Sequence, residues 1–206
     1  MIALAELAFD LALPTEDSGL TALAAPDREE AWVRLLFEKA VLGFSQFELE
    51  SLGWYVRGGV SLHWQVASSS EGLGDILPRM VTDIILDEPI NGERIVIDTK
   101  FTSIFTTGRF GDATLKSGYL YQMYAYLRSQ EGIAPWDNAS GLFLHPAIGR
   151  SVREQAVVQN HLIKFVTVDL SRSPSAIRCE LKEILLGVQR TIEQLREGNL
   201  NLCEQV

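Results

Sequence analysis

The 206-residue chain is poor in several things. It has two cysteines, Cys179 and Cys203, with no Cys-x-x-Cys spacing. A disulfide framework and a cysteine-based zinc site are therefore not expected, and free thiols point to a cytoplasmic chain. No apolar run reaches the length of about 18 residues that a membrane span needs, so no membrane association is expected. The apolar start MIALAELAFDLALP lacks a basic flank and carries Glu6 and Asp10. It reads as a helix over 2–13 ended by Pro14, not as a signal peptide. Positive charge is also scarce: 18 Lys plus Arg stand against 27 Asp plus Glu, a net charge of −9. A freestanding nucleic-acid binder has the opposite balance. Contact at a local basic strip stays open, with a partner or a metal supplying part of the attraction. There are no internal repeats and no low-complexity tract.

What is present fits one ordinary domain. A chain of this length buries roughly 70% of the surface its unfolded form exposes, enough for a core without staples. Hydrophobic residues are 47% and charged residues 22%, as in globular proteins. A helix is expected from Asp27, as its cap, to Leu52, with Trp32, Leu35, Leu36, Val41 and Phe44 inward. Trp54 to Val66 alternates as a strand, with Gly58 and Gly59 suggesting a bulge or bend. Two further strands, 79–87 and 93–101, flank an Asn91-Gly92 turn signal and read as an antiparallel hairpin. A polar loop over 102–113 and a helix over 114–131 follow, with Leu115, Leu120, Met123 and Leu127 inward and Gly132 as its stop. Strands are expected at 141–146 and 162–170. The last helix has Ser173 as cap, Pro174 at its first position and Gly198 at its end. Its apolar stripe runs Ile177, Leu181, Ile184, Leu185, Val188, Ile192, Leu195. The fold class is α/β, a mixed sheet flanked by helices.

Chemistry concentrates in the hairpin. Asp98 and Lys100 are two apart in a strand and share a face, and the turn brings Asp83 beside Asp98. All three sit in apolar runs, where an ionised group is costly unless it is paired or binds a metal. Two adjacent carboxylates raise each other's proton affinity until a cation arrives. A hard ion such as Mg²⁺, or Mn²⁺ in its place, takes such oxygens. That arrangement suits phosphodiester hydrolysis: the metal polarises the phosphate and activates water, and Lys100 orients the water or stabilises phosphoryl charge. The plainer alternative is a surface hairpin with paired outward charges. Gln122 and Tyr126 share a helix face four residues apart. Glu38 is a candidate for a further metal-site oxygen, or an exposed glutamate paired with Arg34. His145 reads as a core or strand-end histidine, and His63 and His161 show no metal spacing.

Thr82-Asp83, Asp98-Thr99-Lys100 and Gln122-x-x-x-Tyr126 resemble the PD-(D/E)xK nuclease superfamily, with the QxxxY feature of its RecB-like branch. The wider wording is similar to the McrC family. It runs through the Leu35 to Lys39 segment, Trp64, Leu77-Pro-Arg-Met-Val-Thr-Asp83, Ile97-Asp-Thr-Lys100 and Ser117-Gly-Tyr-Leu-Tyr-Gln122-Met-Tyr-Ala-Tyr126. The resemblance implies a restriction-endonuclease-like fold and a Mg²⁺-dependent DNA endonuclease of a modification-dependent restriction system used in antiviral defence. It implies methylated duplex DNA as substrate and a McrB-like AAA+ GTPase motor as partner. Carried over by position, Asp83, Asp98 and Thr99 hold the metal, Lys100 is the catalytic lysine, and Glu38 and Gln122 are secondary active-site residues. The chain has no P-loop, so GTP hydrolysis is left to the partner. Thr82 stands where the motif has proline. Residues 1–30 are expected as a short helical remnant of a larger N-terminal region and 31–206 as the nuclease domain. Two other readings are a non-catalytic adaptor of the motor and a stand-alone RecB-like repair nuclease.

Overall fold

A computed structural model of the chain describes residues 25–107, 113–196 and 198. The helix expected over 2–13 and Cys203 lie outside the described residues. Helix α1 spans Ala25–Leu49 and continues into a 3₁₀ turn, Glu50–Leu52. It already includes Asp27, which is thus inside the helix and not its cap. Strand β1 is Tyr55–Leu62, followed by a single turn, α2, at Leu73–Ile76. Strands β2 (Met80–Glu88) and β3 (Glu93–Thr99) form the expected antiparallel hairpin. Short strands β4 (Phe105–Thr107) and β5 (Ala113–Leu115) pair with each other in the segment expected as loop. Then come α3 (Ser117–Arg128), β6 (Ser140–Pro146), β7 (Arg153–Val158), β8 (His161–Val168) and α4 (Pro174–Arg196).

The main sheet has six strands in the order β1-β2-β3-β6-β8-β7. Pairs β3·β6 and β6·β8 are parallel and the others antiparallel, so the sheet is mixed, as a restriction-endonuclease-like core requires. The two parallel pairs sit at its centre, where both faces are covered. On one face, α1 and α4 bury Phe37, Val41, Phe44, Ile177, Leu181, Leu185 and Val188 against Ile84, Leu86, Ile95 and Ile97. On the other, α3 brings Met123, Tyr126 and Leu127 against Ile85, Val96, Phe143 and Ile163. Alternation along β2 and β3 divides the hairpin between these layers. It also fixes where its polar residues point.

Several expectations change. Trp32 and Leu35 are exposed, at 60% and 51%, because α1 turns Phe37 and Ala40 inward together with the expected Val41 and Phe44. Strand β1 stops at Leu62, leaving Trp64 and Val66 outside the sheet. Its pairing with β2 keeps one register on both sides of Gly59, so no residue is inserted there. Gly59 adopts φ 63°, a local bend and not a bulge. Leu115 belongs to β5, and α3 starts only at Ser117. Strand β7 was not foreseen. It is an edge strand with an exposed pattern, and its two-residue turn, Gln159-Asn160, uses left-handed backbone without glycine. The last helix is as expected: Ser173 Oγ accepts from Ala176 N–H at 3.4 Å, and Gly198 has φ 70°.

Candidate active site

The site forms where the hairpin opens. Pairing of β2 with β3 runs from Glu88↔Glu93 to Ile84↔Ile97 and stops one step short of Asp83 and Asp98. Asp83 fills the gap with its side chain: Oδ2 accepts from Thr99 N–H at 2.7 Å and from Thr99 Oγ1 at 3.0 Å. A carboxylate so held is fixed in orientation and closes the strand end that the ladder leaves unsatisfied. Thr99 is therefore a donor to Asp83 through both its N–H and its hydroxyl.

Asp98 is 1% exposed, on the α3 side of the sheet with Val96. Lys100 Nζ donates to its Oδ1 at 2.8 Å and lies 2.7 Å from Oδ2. Oδ2 nonetheless has no well-directed hydrogen-bond donor among the described residues. Burial pushes the Asp98 carboxyl up to about 6; Lys100 opposes this, while Asp83 and Glu38 add to it. Burial alone disfavours the charged form of Lys100. The facing carboxylates of Asp98 and Asp83 outweigh it, so its pKa is raised and the amine stays protonated.

Helix α3 supplies the wall. It lies close on β6 because Gly141 has no side chain: a Cβ there would meet Met123 Cγ at 2.7 Å. Gln122 Nε2 donates to Tyr126 Oη at 2.6 Å, and Tyr126 Oη donates to the Val81 carbonyl at 2.7 Å. The QxxxY pair is thus one chain of hydrogen bonds ending two residues before Asp83. Burial raises the Tyr126 pKa, and the charges of Asp98 and Asp83 raise it further. Thr82, at the proline position of the motif, points to the opposite face and donates to the Val60 carbonyl at 3.3 Å. Its identity leaves the site's polar groups in place.

Glu38 comes from the other layer. Phe37 meets Phe101 at 5.6 Å between ring centres, which places α1 at the exit of β3. From there the charge of Glu38 reaches Asp98. Its Oε1 accepts from Lys39 Nζ at 3.1 Å. Among the described residues no three Asp, Glu, His or Cys side chains approach closely enough to form a metal-binding cluster. The site therefore offers two carboxylates with a third farther off.

Three neighbours were missed as site residues: Lys116, Tyr119 and His145. Lys100 and Lys116 both place their amines by the Tyr119 ring, at 5.5 and 5.3 Å from its centre. His145 is buried, with Nδ1–H donating to the Thr102 carbonyl at 2.9 Å. Burial, with Lys100 and Lys116 adding, lowers its pKa to about 4. The sequence signal was weak: lysine just before a helix is common on solvated surfaces.

Comparison with known proteins adds to this geometry. The chain is 28% identical over 173 residues to a curated protein of Escherichia coli (strain K12), the type IV methyl-directed restriction enzyme EcoKMcrBC. This likeness agrees with the resemblance to the McrC family that the sequence motifs carry. The match takes in 84% of this chain and 48% of the relative, so the chain spans about half the relative's length. No family model matches the chain. Among the described residues no helix is long and apolar enough to cross a membrane.

Proposed function

We propose that this chain is the nuclease-bearing subunit of a McrBC-type restriction system and hydrolyses DNA phosphodiester bonds with Mg²⁺. The observation that carries the reading is Asp98: a carboxylate 1% exposed, whose pKa burial raises, with a second carboxylate, Asp83, adding to that rise and Lys100 paired to it. Buried, mutually repelling carboxylates are a cation site. Mg²⁺ commonly uses only one or two protein carboxylates and completes its shell with water and substrate phosphate, which fits a two-carboxylate site. Asp83 and Asp98 would hold the ion. Thr99 would be a third ligand, although its hydroxyl is already engaged with Asp83. When bound, the metal polarises the phosphate and lowers the pKa of its water.

The chain's own residues do the rest. Lys100, kept protonated, donates to the phosphoryl oxygens as their charge grows, or orients the attacking water. Thr99 holds Asp83 in place. Gln122 and Tyr126 anchor the strand leading to Asp83, and Glu38 adds negative potential that favours the cation. The methylated duplex, the McrB-like GTPase motor and a cytoplasmic setting belong to the same proposal. A motor holding the DNA accounts for a nuclease with a net charge of −9.

The test is plasmid cleavage by the purified chain with Mg²⁺ or Mn²⁺, alone and with a McrB-like partner and GTP, against Asp98→Ala. Cleavage that needs the metal and disappears in the variant is the expected result. Persistent cleavage by the variant, or none under any of these conditions, overturns the reading.

A further inference from the structure

His145 is completely buried near the end of β6, in a run of apolar residues where leucine or phenylalanine would pack without polar atoms. Its Nε2 has no partner among the described residues, which costs stability. What the ring supplies is Nδ1–H, which donates to the Thr102 carbonyl at 2.9 Å. A carbonyl only accepts, so the proton sits on Nδ1, and burial keeps the ring neutral. Thr102 lies in the stretch between β3, which ends at Thr99, and β4, which begins at Phe105. That stretch carries Lys100. Lys100 N–H donates to the Leu144 carbonyl at 3.0 Å, and Thr102 N–H donates to the Lys100 carbonyl at 2.9 Å. The imidazole thus grips the residue whose own amide is bonded to Lys100. Tyr119 adjoins both side chains: its ring centre lies 5.7 Å from the His145 ring and 5.5 Å from Lys100 Nζ.

His161 is a matched contrast. It is 2% exposed, its Nδ1–H donates to the Ala139 carbonyl at 2.7 Å, and its Nε2 likewise has no partner among the described residues. Ala139 precedes the Ser140↔Ile95 pair, toward the turn end of the hairpin. His145 follows the Leu144↔Thr99 pair, at the open end. Each histidine ties down a carbonyl near one end of β6, and His145 is the one joined to the turn that carries Lys100.

We propose that His145 is a positioning residue for Lys100: its Nδ1–H holds the Thr102 carbonyl, and with it the turn that aims the ammonium at Asp98 and at the phosphate. The inference rests on the nuclease reading above. It adds a residue outside the two carboxylates, Lys100 and the Gln122–Tyr126 pair.

The test compares the full parent chain with His145→Phe, His145→Asn, His145→Gln and the control His161→Phe. One readout is steady-state DNA cleavage with Mg²⁺, alone and with the McrB-like partner and GTP. The other is backbone amide exchange over 100–104 without metal. Asn places its amide N–H where Nδ1–H lies, and Gln places its own near Nε2. His145→Phe should lower kcat by about 10–10²-fold with KM for DNA little changed, as for an interaction made only in the transition state. His145→Asn should return kcat to within about threefold of the parent, and His145→Gln should not. His161→Phe should keep the parent's kcat below its melting transition. Exchange over 100–104 should quicken in His145→Phe and return toward the parent in His145→Asn. Parent-like kcat in His145→Phe, equal rescue by Asn and Gln, or an equal loss in His161→Phe overturns the proposal. If His145→Phe does not fold, the contrast between Asn and Gln decides alone. If the parent never cleaves, the nuclease reading fails and exchange decides on the hold. Unchanged exchange in His145→Phe then overturns it, and quickened exchange restored by Asn supports it.

Discussion

The β2–β3 hairpin carries carboxylates at both ends, and their partners differ. At the turn, Asp87 accepts from Arg57 and from Arg94, whose Nη2 lies at 2.9 Å. Arg94 also stacks on Trp136 at 4.6 Å. Glu88 accepts from the turn amides of Ile90 and Asn91 at 3.0 and 2.6 Å, and Glu93 pairs with Arg196 at 3.0 Å. Two guanidinium groups thus serve Asp87. At the open end one ammonium serves Asp83 and Asp98 together, and Glu38 adds negative charge. The turn end thus gives Asp87 two guanidinium groups, although burial raises the pKa of Glu93 there and its Oε2 has no hydrogen bond among the described residues; the open end is the one to which the proposed function assigns a cation. Acidic residues in strands do not reveal which end is which. The number and geometry of their cationic partners do.

Substitutions at the two ends should separate activity from stability. The largest effect is expected for Lys100→Ala, which removes the ammonium paired with Asp98. Metal-dependent plasmid nicking should fall by about 10²–10³ while the far-ultraviolet circular dichroism spectrum is kept. Nicking at the parent rate would remove Lys100 from the chemistry.

Next comes Asp98→Asn, read as stability against pH without metal. The folded Asp98 carboxyl titrates near 6, above its ordinary 3.8. Between these values the folded protein keeps a proton that the unfolded chain has released. The stabilisation is full below about 3.8 and is lost as pH rises through about 6, an interval worth roughly 3 kcal/mol. Asn cannot ionise, so its melting temperature at pH 7.5 should exceed the parent's and its decline between pH 4 and 6.5 should be shallower. Mg²⁺ should raise the parent's melting temperature and leave that of Asp98→Asn unmoved. Parallel pH profiles for the two proteins would contradict the strain assigned to this end.

Asp87→Ala is the mirror experiment. It strands Arg94 against Trp136 and should cost about 1–3 kcal/mol in urea unfolding, below the value for a fully buried pair because Arg57 is half exposed. Cleavage below the melting transition should be unchanged, and a matching loss of activity would blur the contrast. The smallest effect is expected for Gln122→Ala. Tyr126 keeps its bond to Val81, so only one hydrogen bond near the site is lost, about 1 kcal/mol and less than tenfold in rate. Complete inactivity would place Gln122 in direct contact with the reacting groups.

Much of this was legible before any coordinates. The period-2 runs at 79–87 and 93–101 with Asn91-Gly92 between them produced the hairpin, and the Ser173-Pro174 start with its apolar stripe produced α4. Both signals are local: turn chemistry and alternation act within a few residues. Asp83, Asp98 and Lys100 were legible for the same reason, since strand parity and one turn place all three. What was missed depended on long-range contacts. Trp32 and Leu35 read as core because helical spacing marks a stripe without saying which part a neighbour covers. Strand β7 left little signal because an exposed edge strand needs no apolar alternation.

The sequence by itself thus determined the hairpin, the acidic and basic residues on one of its faces, and the helix that follows. Covalent spacing and backbone geometry suffice for that. Only the tertiary structure decided that pairing stops at Ile84↔Ile97, that Thr99 holds Asp83, and that Asp98 lies buried against Lys100. It alone brought Lys116 and His145, 45 residues or fewer from Lys100 along the chain, to the same aromatic ring. Those outcomes depend on how α3 seats on Gly141 and how α1 meets Phe101, and burial is a property of what packs around a residue.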